Sequence, residues 1–320
     1  MKASTTSIAA CLLALSSASL SKPELSPALQ SILDNTHRSK AYTYPTSLTQ
    51  GIQPKGIYSH NDYWHALPLF TAVSVGCTAI ETDVHLYNST LYVGHHTSSL
   101  TAERTFTSLY IEPLLYLLEH SNPPSPFLSE PTYNGIYDWE VFQTLYFMID
   151  IKTDGESPES TWKQVVDELK PLRDKKYLSF ITSGTDSITY RPITVIGTGA
   201  VPHSLIDPET SRDYFYDGDL PVTSTSSPLT SPIASADFLE VFGRVTNPDG
   251  KLNSTQRAVL DEHVRDAHAK GIKIRYWQMP WWPIAVRNGV WREFISAGVD
   301  FINADDLVAA AGIDDEARYW

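Results

Sequence analysis

Short apolar runs separated by helical stretches recur along most of this chain. Six runs have the length and the β-branched or aromatic content of buried strands. They are GIYSH (56–60), TAIETDVHL (78–86), LYFMIDIKT (145–153), PITVIGTG (192–199), IKIRYW (272–277) and VDFINADD (299–306). Two fainter runs, DYFYD (213–217) and SADFLEV (235–241), bring the predicted number of strands to eight. Helices are predicted at 67–75, 107–120, 159–172, 255–269, 284–297 and 305–311.

The alternation of strands with helices is typical of a parallel sheet with helical crossovers. Eight such units in about 260 residues favour an α/β fold of the closed (β/α)8 TIM-barrel type over a doubly wound sheet. We predict a single barrel domain at 55–312, after a loosely packed lead-in segment at 20–54 that is rich in Ser, Thr and Pro. A short C-terminal tail at 313–320 follows it.

The first residues, 1–19, have the pattern of a secretory signal peptide. Lys2 precedes a mostly apolar run, and small residues at 17–19 match a signal-peptidase site. The alternative is an N-terminal helix buried in the core. No later run reaches the roughly 20 apolar residues of a transmembrane segment. With glycosylation sequons at Asn88 and Asn253, this pattern predicts a secreted glycoprotein, located outside the cell, in the cell wall or in a vacuole.

The charge balance argues against one class of partner. The chain has 24 Lys and Arg residues against 37 Asp and Glu residues, a formal net charge of −13, and it has no basic stripe. Binding to nucleic acid is therefore not expected, and attachment to anionic lipid is disfavoured. Cys77 is the one cysteine outside the predicted signal peptide, so a hydrophobic core must stabilise the protein without an internal disulfide. No obligate protein partner is implied.

Acidic residues end two of the predicted strands. Glu81 and Asp83 are two positions apart, so they point to the same side of their strand. For this pair alone, two solvated acids at a strand end would be the simpler interpretation. Asp150 ends the other strand with Lys152 on the same face, and all strands of a parallel barrel end on one side. Three carboxylates at that side predict a site for one Mg²⁺ ion that also receives an anion.

Two histidines are predicted to reach the same side of the barrel. His60 ends the first strand, and His95 follows a turn and a short extended run after the second. Imidazole titrates near neutral pH, so the pair can act as general acid and general base on one phosphate. The sequence leaves open which histidine has which role. His96 is expected to point out of the pocket if His95 points into it.

Together these stretches resemble the phosphatidylinositol-phospholipase-C-like phosphodiesterase superfamily, which includes glycerophosphodiester phosphodiesterases and sphingomyelinase D enzymes. The resemblance extends over about 56–306 and is greatest to the fungal branch named after altered inheritance of mitochondria protein 6. It is carried by SHNDYWHALPLF, IETDVHLYNSTLYVGHH, RTFTSLYIEPLL, FMIDIKT and ITVIGTG.

The resemblance implies a role for each of the matching residues. His60 and His95 would be catalytic, and the ligands of Mg²⁺ would be Glu81, Asp83 and Asp150. The implied activity is cleavage of a phosphodiester in a phospholipid-type or glycerophosphodiester substrate, either by water or by a neighbouring hydroxyl that leaves a cyclic phosphate.

Three further positions would contact substrate. Lys152 would hold a phosphate oxygen, Trp277 would pack on the alcohol or lipid part, and Asn61 would line the pocket. Asn61 and Asp62 stand where glycerophosphodiesterases have Arg-Gly, so the phosphate contact of that arginine is missing here. His96 likewise replaces an aspartate after the second histidine.

Two other classes of protein remain possible from the sequence. A secreted glycoside hydrolase on the same barrel would use paired carboxylates, but such pairs straddle a bond about 5 Å or more wide and usually come from different strands. That interpretation also leaves both histidines and Lys152 without a role. A non-catalytic ligand-binding descendant would be expected to have lost part of the site.

Overall fold

The computed structural model describes residues 26–36 and 39–313. The predicted signal peptide at 1–19 and nearly all of the predicted tail at 313–320 lie outside the described residues. The described residues fall into two compact units, one that ends at Tyr44 and one that begins at Pro45. The first contains helix α1 (Pro27–Thr36), which the sequence analysis did not predict and which has no buried side chain.

The described part of the second unit contains ten strands. They are β1 (Lys55–Ser59), β2 (Cys77–Tyr87), β3 (Thr90–Val93), β4 (Leu145–Ile151), β5 (Ile193–Gly199), β6 (Phe215–Tyr216), β7 (Gly218–Asp219), β8 (Ile233–Asp237), β9 (Lys273–Trp277) and β10 (Ile302–Ala304). All of their pairings are parallel except that of β3, which forms an antiparallel hairpin with β2.

Helices follow most of the parallel strands. They are α2 (Phe70–Ser74), α3 (Glu112–Ser121), α4 (Pro158–Glu168), α5 (Lys170–Asp174), α6 (His203–Ile206), α7 (Phe238–Phe242), α8 (Ser254–His268), α9 (Ile284–Ala297) and α10 (Leu307–Ala311). A π-helical turn at Thr107–Ile111 leads into α3. None of the described helices is both long and apolar enough to cross a membrane.

The strands follow one another around a ring. One sheet has the order β10-β1-β2-β4-β5-β6 and the other the order β7-β8-β9. Asp217 alone separates β6 from β7, and Arg275 of β9 forms a parallel bridge with Phe301, the residue before β10. The two sheets therefore meet at both edges. Counting β6 and β7 as one position gives the eight parallel strands of a TIM-type barrel.

Two apolar clusters lie on opposite sides of this ring. The larger one packs between the strands and the surrounding helices. The smaller one takes residues from strands all around the ring and fills the inside of the barrel: Tyr58, Ala79, Tyr146, Met148, Ile181, Ile196, Phe215, Ile233 and Phe301. Apolar side chains thus pack the inside of the barrel, and the polar residues of the site lie next to this core.

Most predicted elements lie within a few residues of the observed ones, but the weakest strand prediction was wrong in its second half. SADFLEV was predicted to be a strand, yet β8 ends at Asp237 and α7 begins at Phe238. The Asp237 carboxylate accepts hydrogen bonds from the backbone N–H of Leu239 (2.7 Å) and Glu240 (3.2 Å). This N-cap stabilises a helix despite the strand-like composition.

Candidate active site

Three carboxylates come together at the carboxyl ends of β2 and β4. Glu81 and Asp83 lie on the same face of β2, and Asp83 pairs in register with Asp150 of β4. Each offers an oxygen, and these three oxygens lie within 4.8 Å of one another. Oxygen donors in this number suit a hard cation such as Mg²⁺ or Ca²⁺. The residues present therefore fit the divalent cation predicted from the sequence.

Lys152 balances part of this negative charge. Its Nζ lies 2.8 Å from Asp83 Oδ2 and 2.9 Å from Asp150 Oδ2. Burial lowers the pKa of Lys152, but the two carboxylates more than offset this, so that its pKa is raised overall. Burial likewise raises the pKa of Asp150, while the ammonium group opposes the shift. Lys152 thus stays cationic at the place where an anionic phosphate was predicted to bind.

Asp83 receives three hydrogen-bond donors on one oxygen. Lys152 Nζ, the Tyr63 hydroxyl (2.7 Å) and His95 Nδ1 (2.9 Å) all meet at Oδ2. A carboxylate oxygen has only two lone pairs, so these three contacts use Oδ2 fully and leave Oδ1 as the oxygen suited to a cation. Because Asp83 accepts, His95 donates through Nδ1–H, and a neutral His95 then has its lone pair on Nε2.

His60 contacts two carboxylates from different strands. Its Nδ1 lies 2.7 Å from Asp305 Oδ1, just after β10, and its Nε2 lies 3.8 Å from Glu81 Oε2. Burial lowers the pKa of His60, but the hydrogen bond to Asp305 and the charge of Glu81 outweigh burial and raise it above its ordinary value. The two histidines therefore approach the carboxylate cluster through different members, His60 through Glu81 and His95 through Asp83.

A buried histidine of β2 holds the backbone next to His95. His85 of β2 is fully buried, and its Nε2 lies 2.8 Å from the backbone oxygen of Gly94, the residue before His95. The Trp64 ring packs edge-on against His95, with centroids 6.0 Å apart. His96 is exposed, as expected if its neighbour points into the site.

The loop after β1 is held in place by a buried aspartate. Asp62 accepts hydrogen bonds from Ser59 Oγ (2.7 Å) and from the Leu69 N–H (2.6 Å). Asn61 takes a left-handed conformation at φ 48°, and its side-chain oxygen lies 2.5 Å from the Tyr63 hydroxyl. Asn61 is thus bonded within the site, and its contact with substrate stays a prediction.

The predicted substrate-binding tryptophan lies at the rim of the barrel. Trp277 ends β9 and is 37% exposed. The residues directly after it form one wall of a cavity of about 440 Å³ that reaches His60 and Asp305. Met279, Pro280 and Trp281 make this wall mostly apolar.

Sequence reasoning missed a glycine beside the carboxylates. Gly199 ends β5 at φ +66°, and a Cβ at this position would stand 2.0 Å from Asp150 Oδ1. Only glycine combines this φ with so close an approach. The available signal was the Gly-Thr-Gly that ends an otherwise apolar strand.

A second omission is a buried ion pair inside the barrel. Arg275 lies 3.5 Å from Asp217 and 3.8 Å from Glu81. Burial raises the pKa of Asp217 to about 6, although the Arg275 charge lowers it. A charged residue in the middle of the apolar run IKIRYW was the sequence signal for this pair.

A parallel barrel with carboxylates, histidines and a lysine at the carboxyl ends of its strands has its polar groups where barrel proteins place their functional sites. The chain belongs to the AIM6-like phosphodiesterase domain family, which matches residues 46–217. This confirms the family resemblance found in the sequence.

Curated relatives agree with this family. An altered inheritance of mitochondria protein 6 homolog from Arthroderma benhamiae is 48% identical over 295 residues, or 90% of this chain and 93% of the relative. Altered inheritance of mitochondria protein 6 from Eremothecium gossypii is 33% identical, over 80% of this chain and 68% of the relative. The protein of the same name from Saccharomyces cerevisiae is 30% identical, over 83% of this chain and 72% of the relative. A solved glycerophosphoryl diester phosphodiesterase from Parabacteroides distasonis aligns with a TM-score of 0.43 at 14% identity, over 84% of this chain and 88% of that one.

Proposed function

We propose that this protein is a secreted, Mg²⁺-dependent phosphoric diester hydrolase. The observation that carries the proposal is the joint position of three carboxylates, a lysine and two histidines, in which each histidine contacts a different member of the carboxylate cluster. A Mg²⁺ ion held by Glu81, Asp83 and Asp150 would supply positive charge to the non-bridging oxygens of a phosphodiester.

Side chains of the protein bind the phosphate and transfer the protons. Lys152 Nζ holds an anionic oxygen of the phosphate. One of His60 and His95 takes a proton from the attacking hydroxyl, and the other gives a proton to the leaving oxygen. The tautomer set by Asp83 directs His95 Nε2 away from its carboxylate partner and toward a substrate. Asp305 holds the ring of His60 through Nδ1, so that Nε2 lies beside Glu81 at the proposed cation site.

The proposed substrate is a phospholipid-type molecule or a glycerophosphodiester. The cavity beside His60 provides room for the alcohol or lipid part, because its wall of Met279, Pro280 and Trp281 is mostly apolar. Trp277 would pack on that part from the rim. The attacking hydroxyl is either a water molecule or a neighbouring alcohol of the substrate, and the latter gives a cyclic phosphate.

Secretion rests on the sequence pattern at 1–19 and on the two sequons. Asn88 is exposed at the tip of the β2–β3 hairpin. Asn253 is exposed as well, and its side-chain oxygen caps α8 at 2.9 Å from the Gln256 N–H. A mass shift on glycosidase treatment of the secreted protein would support this proposal, and an unglycosylated cytosolic product would contradict it.

A substrate panel tests the proposed reaction. Lysophospholipid, sphingomyelin and glycerophosphodiester substrates are incubated with wild type, His60→Ala and His95→Ala in the presence of Mg²⁺. Each substitution should remove roughly 10²–10⁴ of the rate, whereas the matched control His96→Ala should retain most of it. EDTA should abolish turnover and Mg²⁺ should restore it.

The same panel separates the other classes of protein. Cleavage that survives both histidine substitutions, or that resists chelation, would refute the mechanism. A glycosidase would tolerate both histidine changes and act on glycosides, and a binding protein would turn over none of the phosphodiesters.

A further inference from the structure

Arg275 is a buried cation inside the barrel, in contact with a candidate metal ligand. It lies on β9, two positions before Trp277, and its side chain is 4% exposed. Its Nη1 lies 3.8 Å from Glu81 Oε1. A buried charge is costly unless it has partners, so the identity of the other partners shows what the guanidinium group does here.

Each nitrogen of the guanidinium group is tied to a different part of the ring. Nε donates to Ser235 Oγ of β8 at 3.0 Å, Nη2 pairs with Asp217 at 3.5 Å, and Nη1 lies 3.4 Å from Asn303 Oδ1 of β10. The carbon Cζ lies 4.1 Å from the ring centroid of Tyr58 on β1. A planar group with five N–H donors satisfies all of these contacts at once, which a lysine cannot do. The group is therefore fixed in both position and orientation.

The guanidinium group of Arg275 contacts one side of the Glu81 carboxylate. Glu81 Oε1 faces Arg275, while Oε2 accepts a hydrogen bond from the Asn61 N–H at 3.2 Å. The carboxylate is thus held from two sides, by an ion pair on Oε1 and by a hydrogen bond on Oε2. We propose that Arg275 is a positioning residue that holds Glu81 in the orientation required by a small octahedral cation. This inference rests on the proposed Mg²⁺ site and adds the source of its selectivity.

Charge and geometry have opposite effects in this proposal. Loss of Arg275 removes a positive charge, which by itself strengthens the binding of every divalent cation to a similar degree. It also releases the Glu81 carboxylate. Mg²⁺ demands near-ideal octahedral geometry, whereas Ca²⁺ accepts six to eight ligands in flexible arrangements. The ratio of the Mg²⁺ and Ca²⁺ affinities therefore measures the positioning effect with the charge effect largely cancelled.

The test is calorimetric titration of the metal-free full chain with Mg²⁺ and with Ca²⁺ in separate experiments. In Arg275→Met, the affinity ratio should shift toward Ca²⁺ by roughly 10-fold or more, the usual size of the effect when a residue that orients a ligand is lost. Arg212→Met is the matched control. Arg212 is also a buried arginine, but it donates to the backbone oxygens of Glu209, Tyr214 and Leu229 and contacts none of the carboxylates of the site. Its loss should reduce thermal stability without changing the ratio.

A milder variant covers the case in which Arg275→Met does not fold. Ser235→Ala removes the acceptor of Arg275 Nε and leaves the guanidinium group in place, so that a smaller shift in the same direction is expected.

The outcomes separate the two proposals. A wild-type protein that binds neither cation overturns both the proposed metal site and this inference. Wild-type binding with an unchanged ratio in Arg275→Met overturns the positioning role alone, as does an equal shift in Arg212→Met. If only Ser235→Ala folds, an unchanged ratio in that variant overturns the role.

Discussion

Asp217 joins β6 to β7 inside the barrel, and its protonation should change the stability of the whole protein. Its side chain is 9% exposed, and burial raises its pKa from 3.8 to about 6 against the opposing charge of Arg275. The gap of about 2 pH units corresponds to about 3 kcal/mol, at 1.36 kcal/mol for each unit. Between these two pH values the folded protein holds a proton that the unfolded chain has released. This contribution to the free energy of unfolding is therefore fully present below about pH 4 and is lost as the pH rises through about 6.

Urea unfolding of wild type and Asp217→Asn from pH 4 to pH 7 measures this contribution. Other titrating groups cancel in the difference between the two proteins. The free energy of unfolding of wild type minus that of the variant should fall by about 2–3 kcal/mol over this range. Asp219→Asn, at an exposed position of β7, is the control and should give a nearly constant difference. A constant or rising difference for Asp217→Asn would refute the reasoning.

Three further substitutions test how the site is supported. Gly199→Ala places a Cβ against the Asp150 carboxylate, so calorimetric Mg²⁺ affinity should fall by roughly 10–100-fold; an unchanged affinity would contradict the close approach. Asp305→Ala removes the main group that raises the pKa of His60, so the matching limb of the pH profile of kcat/KM should move to lower pH, with a smaller loss than the roughly 10²–10⁴-fold of His60→Ala. A profile that does not move would count against that hydrogen bond. Lys152→Met leaves two carboxylates without their ammonium partner, so the unfolding temperature of the metal-free protein should fall. Addition of Mg²⁺ should then raise the unfolding temperature more in this variant than in wild type. Equal rises in the two proteins would argue against a shared site.

The carboxylate cluster could be predicted from the sequence because it depends on simple geometry. Glu81 and Asp83 share a face through the two-residue period of a strand, and Asp150 joins them because parallel strands end on the same side. Those rules act within one strand or between whole strands. They need no knowledge of which distant side chains meet.

Features that depend on several distant segments could not be predicted in this way. The residues that contact Arg275 lie on strands between residues 55 and 304. No local sequence pattern indicates that these residues come together. The need for glycine at Gly199 follows from the position of Asp150 on the neighbouring strand. The end of β8 was missed because the cap formed by Asp237 overrides the β-propensity of the residues that follow.

The pairing of β1 with β10 has a consequence for the order of folding. Ile57 lies beside Ile302, and the hydrogen bond between His60 and Asp305 spans 245 residues of sequence. During synthesis the ribosome must release nearly the whole chain before the first strand can meet the last. Contacts of such long range make folding slow. The nascent protein therefore has all three carboxylates of the site long before it has Asp305, the partner of His60. A chain truncated before β10 would carry those carboxylates without a closed barrel to hold them.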